Sequence, residues 1–415
     1  MKKNKKLLIG IQERPPLGLG LLLSVQHLLA MMSATILIPM LVGIPVSLAL
    51  FTSGMGTLIY LVLTKFKVPV YLGSSGAFVS VILVANASLG GIEAAQTGII
   101  LVGLSYIAIA AIVSKTGTNW IARMLPSAVV APLVLIIGLG LAGYAIDQSG
   151  LSGGATFKDL IAIFTTLGVV IFFMIRDRGV SKFLPFLLGI TAGYLVSIPL
   201  GLVDFSAIVE ANFFQMPDFR FWAIQSKPTF SAAAFAMLPV ILVSISEHIG
   251  DHVVLSNICG EEFLSEPGLQ RTLLGDGVAT LFAGLLGSVP NTSYGENSAV
   301  IAATKVGSVY VIAGAAISAI LLSFSGIVSA VLYSIPGPVL GAASILLYGT
   351  IAYGGFRVIY SSELDLEEKR NTIIMPIMLI IGLGGATIPL WGGATLSGAA
   401  LAGIVGVALN YILPE

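Results

Sequence analysis

The segment SISEHIGDHVV (residues 244–254) brings four side chains that could do chemistry within six positions of one another. On a helix, Glu247 and Asp251 are one turn apart and share a face. His248 and His252 share a second face, about 100° around the helix axis. Two carboxylates one turn apart repel each other, which favours protonation of one of them. The segment therefore predicts proton coupling, and the alternative is a polar cluster that only ties helices together.

The composition around this segment is that of a polytopic membrane protein. Of the 415 residues, 56% are hydrophobic and 10% are charged, whereas a soluble domain carries about 25% charged residues. The mean hydropathy is +1.01. A net charge of zero leaves no basic footprint for nucleic acid, and the single Cys259 excludes an internal disulfide. No cleavage-site pattern follows the basic start MKKNKK, so no signal peptide is expected.

Stretches of about 20 apolar residues predict helical spans. Twelve such stretches lie near residues 18–42, 45–64, 97–114, 126–146, 158–175, 183–203, 230–254, 272–288, 308–333, 337–355, 371–387 and 393–412. Two interrupted stretches, near 68–90 and 289–306, bring the predicted number of crossings to fourteen. Fourteen crossings place both termini on the same side of the membrane.

The basic residues support this threading. A cytoplasmic N-terminus places seventeen lysines and arginines inside and leaves only Lys158, Arg220 and Lys227 outside. The positive-inside rule predicts this asymmetry, so both termini are expected in the cytoplasm. The longest outer loop, near 204–229, is rich in aromatic residues and is expected to lie at the membrane interface.

The two interrupted segments resemble each other. They read KVPVYLGSSGAF (67–78) and SVPNTSYGENSAV (288–300), and Pro69 and Pro290 stand 221 residues apart. Because seven crossings per half is an odd number, the two halves must have opposite topology. Inverted repeats with broken helices at matching positions are typical of secondary transporters that bind substrate near the midplane. Proline and glycine that merely kink two ordinary helices are the alternative.

A helix that starts at Gly295 would place Glu296 and Asn297 at its positive end, with free backbone N–H groups facing a cavity. The first broken helix would offer the same donors from Ser75 and Gly76. Backbone donors beside carboxylate acceptors suit a small planar heterocycle with alternating C=O and N–H groups. A simple anion would be repelled by the carboxylates.

The third histidine of the chain, His27, lies in the first predicted span beside Gln26. Gln26 could donate and accept hydrogen bonds in the pocket or hold the helix of residues 244–254 in place. For His27, an interhelical hydrogen bond and a substrate role are equally open.

Several motifs resemble those of the nucleobase–ascorbate transporter family, and within it the bacterial uracil permeases. The motifs are ERPPLGLGLLLSVQHLLAMMSATILIPMLVG (13–43), YLGSS (71–75), SEHIGDHVVLSNI (246–258), PGLQRTLLGDGVATLFAGLLGSVPNTSYGEN (267–297) and SILLYGTIAYGG (344–355). The combination of QH in the first span with NTSYGEN in the tenth is highly specific, and the resemblance covers almost the whole chain.

The resemblance implies an all-α membrane protein with fourteen segments in two inverted repeats of seven. Short antiparallel strands would open the broken segments 3 and 10. Residues 1–17 would form a cytoplasmic tail. A core domain would comprise 18–115 (segments 1–4) and 230–334 (segments 8–11), and a gate domain 116–229 (segments 5–7) and 335–415 (segments 12–14). Transport would move the core against the gate in an elevator-type mechanism, in a homodimer in the cytoplasmic membrane.

The resemblance also implies the roles of individual residues. The carboxylates of Glu247 and Glu296 and the backbone at Gly76 and Gly295 would contact uracil, with Ala34 and Tyr294 nearby. Uptake would be coupled to protons through Glu247, Asp251 and His248. No metal and no cofactor other than the proton is expected. The supporting polar residues are Gln26, His27, Asn297 and Asp276. Ser75, which the helix-start argument adds, is expected to bind substrate.

The chain departs from the family pattern in three places. A phenylalanine is usual where Gly76 stands, so an aromatic wall is missing and the pocket could be wider. Asp251 and Asp276 match purine carriers rather than the best-known uracil permease. Glu296 is the choice of uracil carriers, since xanthine carriers have glutamine there. Because Glu296 would touch the base directly, uracil is the favoured substrate and a purine such as xanthine or uric acid is the alternative.

Three other readings remain. The spacing of His248 and His252 matches a zinc-binding helix, but the glutamate precedes the first histidine, so the H-E-x-x-H pattern of metallohydrolases is absent. An enzyme is therefore not expected. An anion transporter of the same architecture would require a neutral or basic pocket, and the two glutamates argue against it. A channel is disfavoured, because one central pocket suits alternating access better than continuous flow.

Overall fold

Four of the long helices start directly after a proline. In the computed structural model, Pro16, Pro45, Pro126 and Pro336 immediately precede four of the long helices. Proline lacks the backbone N–H that an earlier turn would need and has a fixed φ that suits a helix start. The structure describes residues 7–87, 91–176, 184–225, 227–362, 364–390 and 395–414.

The described residues form helices α1 (Leu17–Leu41), α2 (Val46–Leu63), α3 (Val79–Ala87), α4 (Gly91–Thr116), α5 (Asn119–Met124), α6 (Ser127–Gly140), α7 (Ala142–Ser149), α8 (Phe157–Ile175), α9 (Pro185–Ser197), α10 (Ser206–Val209), α11 (Ala232–Phe235), α12 (Ile241–Cys259), α13 (Leu269–Leu286), α14 (Gly295–Thr304), α15 (Val309–Ser323), α16 (Gly326–Tyr333), α17 (Gly337–Ser361), α18 (Lys369–Leu383) and α19 (Gly398–Ile412). The strands are β1 (Leu72–Ser74), β2 (Asn291–Ser293), β3 (Thr387–Pro389) and β4 (Thr395–Ser397).

The structure confirms a mainly helical membrane protein. Within the described ranges, seven helical segments are long and apolar enough to cross a bilayer, and four more apolar helices are shorter. The total of fourteen crossings and the inside position of the termini stay predictions. Of the lysines and arginines assigned to the cytoplasmic side, six lie outside the described residues: Lys2, Lys3, Lys5, Lys6, Arg178 and Lys182.

Three predicted spans differ from the structure in detail. The span at 308–333 is divided into α15 and α16, because the Ser325 side chain accepts a hydrogen bond from Val328 N–H and starts a new helix. The span at 230–254 begins as α11 and a 3₁₀ turn that contains Pro239, and α12 then continues to Cys259. The span predicted to reach residue 387 ends at Leu383, before Gly385 in a left-handed conformation (φ 77°) and strand β3.

The two interrupted segments meet in an antiparallel strand pair, as the family resemblance implied. Leu72 pairs with Ser293, Gly73 with Thr292 and Ser74 with Asn291. The pairing extends beyond the strands, because Ser75 N–H donates to Pro290 C=O at 2.9 Å. A 3₁₀ turn, Gly76–Phe78, and then α3 follow β1, and α14 follows β2. Both broken helices therefore start side by side.

The helices pack in two groups. In the first, α2 packs against α13 and α15, α4 packs against α13, and α1 packs against α15. In the second, α17 packs against α6, α7 and α8, while α18 and α19 pack against each other and against α6. Glycines permit close contact within each group: a Cβ at Gly103 would lie 2.5 Å from the backbone nitrogen of Leu281. We call the first set of helices, with α3, α12 and α14, the first helix group, and α6–α9 with α17–α19 the second helix group.

The aromatic loop near 204–229 packs on the ends of helices from the first group. The Phe219 ring meets Phe51 edge to face at 5.1 Å, and Phe214 stacks on Phe324 at 5.6 Å. Phe213 stays 82% exposed. Whether this loop lies at the membrane interface stays a prediction.

Candidate functional site

Helix α12 presents two polar faces with different surroundings, as its sequence spacing predicts. Glu247 and Asp251 are half-buried, whereas His248 and His252 are buried. The carboxylates therefore stay partly accessible, and the histidines point into the first helix group. The imidazole rings stack with centroids 3.9 Å apart.

His252 is held by two hydrogen bonds. Its Nδ1 lies 2.7 Å from the backbone oxygen of His248, and its Nε2 lies 2.6 Å from the Tyr60 hydroxyl. A carbonyl oxygen can only accept, so Nδ1 carries the proton and Nε2 accepts from Tyr60. Tyr60, on α2, is fully buried. His252 thus links α12 to α2.

His248 is tied to α13 and β2. Its Nδ1 lies 2.8 Å from Oδ2 of Asp276 and 3.3 Å from Oγ of Ser293. Its Nε2 lies 2.9 Å from Oγ1 of Thr272. All but Ser293 are buried. Asp276, expected as a supporting residue, is the direct partner of His248.

The start of α14 brings Glu296 to the site. Tyr294 has extended backbone before the helix, Gly295 is its first residue and Glu296 lies in its first turn. A carboxylate in this position is stabilised by the helix dipole and by free backbone N–H groups. Oδ1 of Asp251 lies 2.9 Å from the point where a Cβ on Gly295 would stand. The structure thus places Asp251, Gly295 and Glu296 together.

A cavity of about 150 Å³ lies beside this helix start. Helix α1 and the start of α14 line it from the first helix group, and α9 and α17 line it from the second. Its lining comprises Ala30, Met31, Ala34, Leu37, Tyr294, Glu296 and Ala299, with Pro185, Phe186 and Leu347. Glu296 is the charged side chain in an otherwise mainly apolar lining. Ala34, Tyr294 and Glu296 were predicted to be near the substrate, whereas Glu247, Gly76, Gly295 and Ser75 are not among the lining residues.

The Tyr294 ring is fixed against β1. Its hydroxyl donates to Ser74 C=O at 2.8 Å and lies 3.4 Å from Oγ1 of Thr35. A Cβ on Gly73 would lie 2.3 Å from the ring. Glycine is therefore needed at residue 73 for the ring to lie flat on the strand. Sequence reasoning missed Gly73 and Thr35, although the Gly-Ser-Ser run was a signal for the first.

Gly76 starts the 3₁₀ turn after Ser75, whose backbone is extended. The nearest atoms to a Cβ at this position are Cδ1 of Ile351 at 3.4 Å and Cδ1 of Ile38 at 3.7 Å. The first comes from α17 in the second helix group and the second from α1. Branched aliphatic side chains therefore occupy the direction in which a residue 76 side chain would extend.

The supporting polar residues hold the broken helices in place. Asn297 Nδ2 donates to Pro69 C=O at 2.7 Å, which ties α14 to the segment before β1. His27 is buried near Asn297, and among the described residues neither of its ring nitrogens has a partner in hydrogen-bond geometry. Gln26 is half-buried, and within the described part of the chain no hydrogen bond from its side chain joins it to the cluster on α12. His27 thus lies with the α14 start, and Gln26 does not hold α12.

No group of three or more histidine, cysteine, aspartate or glutamate side chains is arranged to hold a metal ion among the residues described. All four ring nitrogens of His248 and His252 are within hydrogen-bond distance of protein atoms.

Residues 20–391 match a family model described as "Permease family", that of the xanthine and uracil permeases. The uracil permease of Bacillus caldolyticus is 44% identical over 413 residues, which cover 99% of this chain and 95% of the relative. The uracil permease of Escherichia coli (strain K12) is 42% identical over 409 residues, covering 97% and 93%.

Solved structures show the same fold at low identity. The transmembrane domain of the cyanobacterial bicarbonate transporter BicA has a TM-score of 0.65 at 16% identity, covering 94% of this chain and 96% of that one. Murine Slc26a9, an anion transporter in the inward-facing state, has a TM-score of 0.72 at 9% identity, covering 97% and 69%. The fold is thus shared with these transporters, while the family match and the near full-length relatives place the chain in the nucleobase–ascorbate transporter family.

Proposed function

We propose that this protein carries uracil into the cell across the cytoplasmic membrane and couples uptake to protons. The observation that carries the proposal is the cavity that Tyr294 and Glu296 line at the start of a broken helix. A volume of about 150 Å³ suits one small ring, and the lining gives it apolar walls and one carboxylate. Uracil permeases that are 42–44% identical over nearly the whole chain support the same substrate.

In this proposal, the base lies between the two helix groups. Glu296 accepts a hydrogen bond from a ring N–H group, and Glu247 accepts a second one. Backbone N–H groups at Gly295 and Gly76, with Ser75 beside them, donate to the carbonyl oxygens of the base. Ala34 and Tyr294 contact its faces. The cavity lining supports this for Ala34, Tyr294 and Glu296, and Gly295 directly precedes Glu296 at the start of α14.

The carboxylates also carry the coupling. Glu247, Asp251 and Glu296 lie close enough to interact electrostatically in an apolar surrounding. Three neighbouring negative charges repel one another, so at least one of them binds a proton. His248 is coupled to these carboxylates because it is hydrogen-bonded to Asp276, which interacts electrostatically with Asp251. A proton bound from outside and released inside drives net uptake.

The movement proposed is a displacement of a core domain against a gate domain, with the boundaries predicted from the sequence. The first helix group supplies the broken helices and the second supplies Pro185, Phe186 and Leu347 of the cavity lining. A cavity lined by both groups opens when one slides past the other. Fourteen crossings, cytoplasmic termini and a homodimer are part of the same proposal.

Asp276 matches the residue of purine carriers and, taken alone, would favour a purine as the substrate. It is buried against His248 and is not among the cavity-lining residues. Asp276 therefore does not contact the base directly in this proposal, whereas Glu296 does. Uracil stays the favoured substrate.

The experiment is competition for labelled uracil uptake in proteoliposomes by uracil, thymine, xanthine, uric acid and hypoxanthine. We expect uracil to compete most strongly. Stronger competition by xanthine or uric acid would replace the substrate with a purine, and no uptake of any base would overturn the proposal. Uptake that ignores an inward proton gradient and an uncoupler would contradict the coupling.

A further inference from the structure

The His248–Asp276 pair lies apart from the cavity and has a hydrogen-bond environment that fits two protonation states. Nδ1 of His248 lies 2.8 Å from Oδ2 of Asp276, and it donates its proton when Asp276 is ionised, because a carboxylate only accepts. Asp276 is buried, and among the described residues His248 is its ion-pair partner. The hydrogen bonds of the second ring nitrogen determine whether the ring can take up a further proton.

The Thr272 hydroxyl has two acceptors to choose between. Oγ1 lies 2.9 Å from Nε2 of His248 and 3.1 Å from the backbone oxygen of Leu269. With neutral His248, the hydroxyl donates to Nε2. With a proton on Nε2, that N–H donates to Oγ1 and the hydroxyl turns to Leu269. The ring therefore gains a proton without loss of a hydrogen bond.

His252 lacks this freedom. Its Nδ1–H donates to the His248 backbone oxygen at 2.7 Å, and its Nε2 accepts from the Tyr60 hydroxyl at 2.6 Å. In the described ranges, the Tyr60 hydroxyl has no other acceptor within hydrogen-bond distance. A second proton on His252 would leave the buried Tyr60 O–H without an acceptor, which is costly. The two stacked imidazoles thus differ: His248 can gain a second proton without loss of a hydrogen bond, whereas His252 cannot.

Ser293 connects the pair to the start of α14. Its backbone N–H donates to Oδ2 of Asp276 at 3.4 Å, and its hydroxyl lies 3.3 Å from Nδ1 of His248. Gly295 and Glu296 follow directly along the chain. A change in the charge of the His248–Asp276 pair therefore changes the electrostatic potential at the start of α14, which lines the cavity.

We propose that His248, with Asp276 as its partner, is a second proton-binding site, and that the Thr272 hydroxyl switches between Leu269 and His248 to satisfy both states. The groups that face the pair are Thr272 (α13), His252 (α12) and Ser293 (β2), with Tyr60 (α2), Tyr106 (α4) and Asp251 (α12) interacting electrostatically with Asp276. The inference deepens the proposed coupling and rests on it only for its role in transport.

The test is ¹⁵N solid-state NMR of histidine-labelled protein in liposomes, titrated between about pH 5 and about pH 8, where histidine changes charge. The chain has three histidines, so variants of His27 and His252 assign the signals. We expect His248 to gain a second ring proton as the pH falls, while His252 keeps one. No substrate is present, so a failure of uracil uptake would leave this result intact.

Variants of Thr272 separate the switch from ordinary packing. Thr272→Val removes the acceptor of the charged N–H, and hydrogen bonds to charged groups are stronger than neutral ones. We expect the transition of His248 to move to lower pH by about one unit or more, and Thr272→Ser to leave it in place. Thr191→Val, on the exposed face of α9, is the control.

Asp276→Asn keeps an acceptor for His248 but removes its counter-charge, so the transition should disappear from this pH range. A His248 that keeps one ring proton throughout, while the ¹³C carboxyl signal of Asp276 titrates, would overturn the switch. Equal titration in wild type and Thr272→Val would overturn it as well. If Thr272→Val does not fold, Asp276→Asn and Thr272→Ser still decide the question.

Discussion

Asp251 of α12 lies directly against Gly295, the first residue of α14. A Cβ at residue 295 would stand 2.9 Å from Oδ1 of Asp251 and 3.5 Å from its Cγ. Only a hydrogen atom fits in this gap. The absence of a side chain at residue 295 therefore allows a carboxylate of one helix to approach the N-terminus of the other, where free N–H groups stabilise negative charge.

Gly295→Ala should push Asp251 away from α14 and shift the backbone that faces the base. Overpacking of this kind costs about 1–3 kcal/mol, so we expect uracil affinity to fall by about 10-fold or more. Isothermal titration with uracil measures it. Gly250→Ala on α12 is the matched control, because no atom lies within 4 Å of a Cβ there. Equal uracil affinities of the two variants would show that the space beside Gly295 does not affect uracil binding.

Glu247→Gln and Glu296→Gln should each weaken uracil binding. Glutamine keeps the shape but loses the charge, and a hydrogen bond to a charged group contributes about 1.5–3 kcal/mol. We expect affinity losses of roughly 10- to 100-fold, measured by titration or by inhibition of labelled uracil binding. Near-normal binding by either variant would remove that residue from the site. Xanthine binding gained by Glu296→Gln would link residue 296 to base selection.

The contacts that sequence reasoning found are those that depend on spacing along one element. The two faces of α12 follow from a helical period, and the α14 start follows from Gly295 and Glu296. The partners supplied by distant segments could not be read in this way. Tyr60 lies 192 residues from its partner His252, and Thr272 lies 24 residues from its partner His248. No local pattern brings either to the histidines. The contact of Tyr294 with Gly73 also depends on the strand register.

Outside the membrane segments, Lys67 and Glu266 form an ion pair near the α12–α13 connection. Hydrogen bonding and charge attraction from Lys67 lower the pKa of Glu266 below its ordinary value. The pair therefore adds stability above the unfolded-state pKa, about 4.3, and loses it as the pH falls through the lower folded-state pKa. Both side chains are exposed, so the effect is small and decreases with salt.

Glu266→Gln should slightly lower the thermal unfolding temperature at pH 7, and its difference from wild type should shrink as the pH falls below about 4. Glu262→Gln, in the same connection, is the control. Differential scanning fluorimetry in detergent at low and high salt makes the comparison. A difference that persists at low pH would mean that Glu266 acts through packing rather than through the charge of Lys67.

Phe186 of α9 is the aromatic side chain that the second helix group contributes to the cavity. If its ring contacts the base, Phe186→Leu should weaken uracil binding by up to about 10-fold, because ring contacts contribute about 0.5–1.5 kcal/mol. Phe186→Tyr should retain most of the affinity. Phe164→Leu on the exposed side of α8, where Phe164 is 67% exposed, is the control. Equal affinities of the two leucine variants would limit Phe186 to interhelix packing.

Gly76 is the clearest departure from the family pattern, and the structure shows what an aromatic side chain would meet there. A Cβ fits at 3.4 Å from Ile351 and 3.7 Å from Ile38, and both contacts are the flexible ends of side chains. Phe78 is fully buried in the hydrophobic core and is not among the cavity-lining residues, so it does not replace the missing ring.

Gly76→Phe should therefore narrow the range of bases. Thymine and xanthine should lose more affinity than uracil, which could gain about 0.5–1.5 kcal/mol from ring contact. Competition against labelled uracil measures the order of the bases. The double variant Gly76→Phe/Ile351→Ala relieves the contact with α17, so it should restore uracil binding if the single variant is merely overpacked. Equal losses for all bases in both variants would show that residue 76 does not set selectivity.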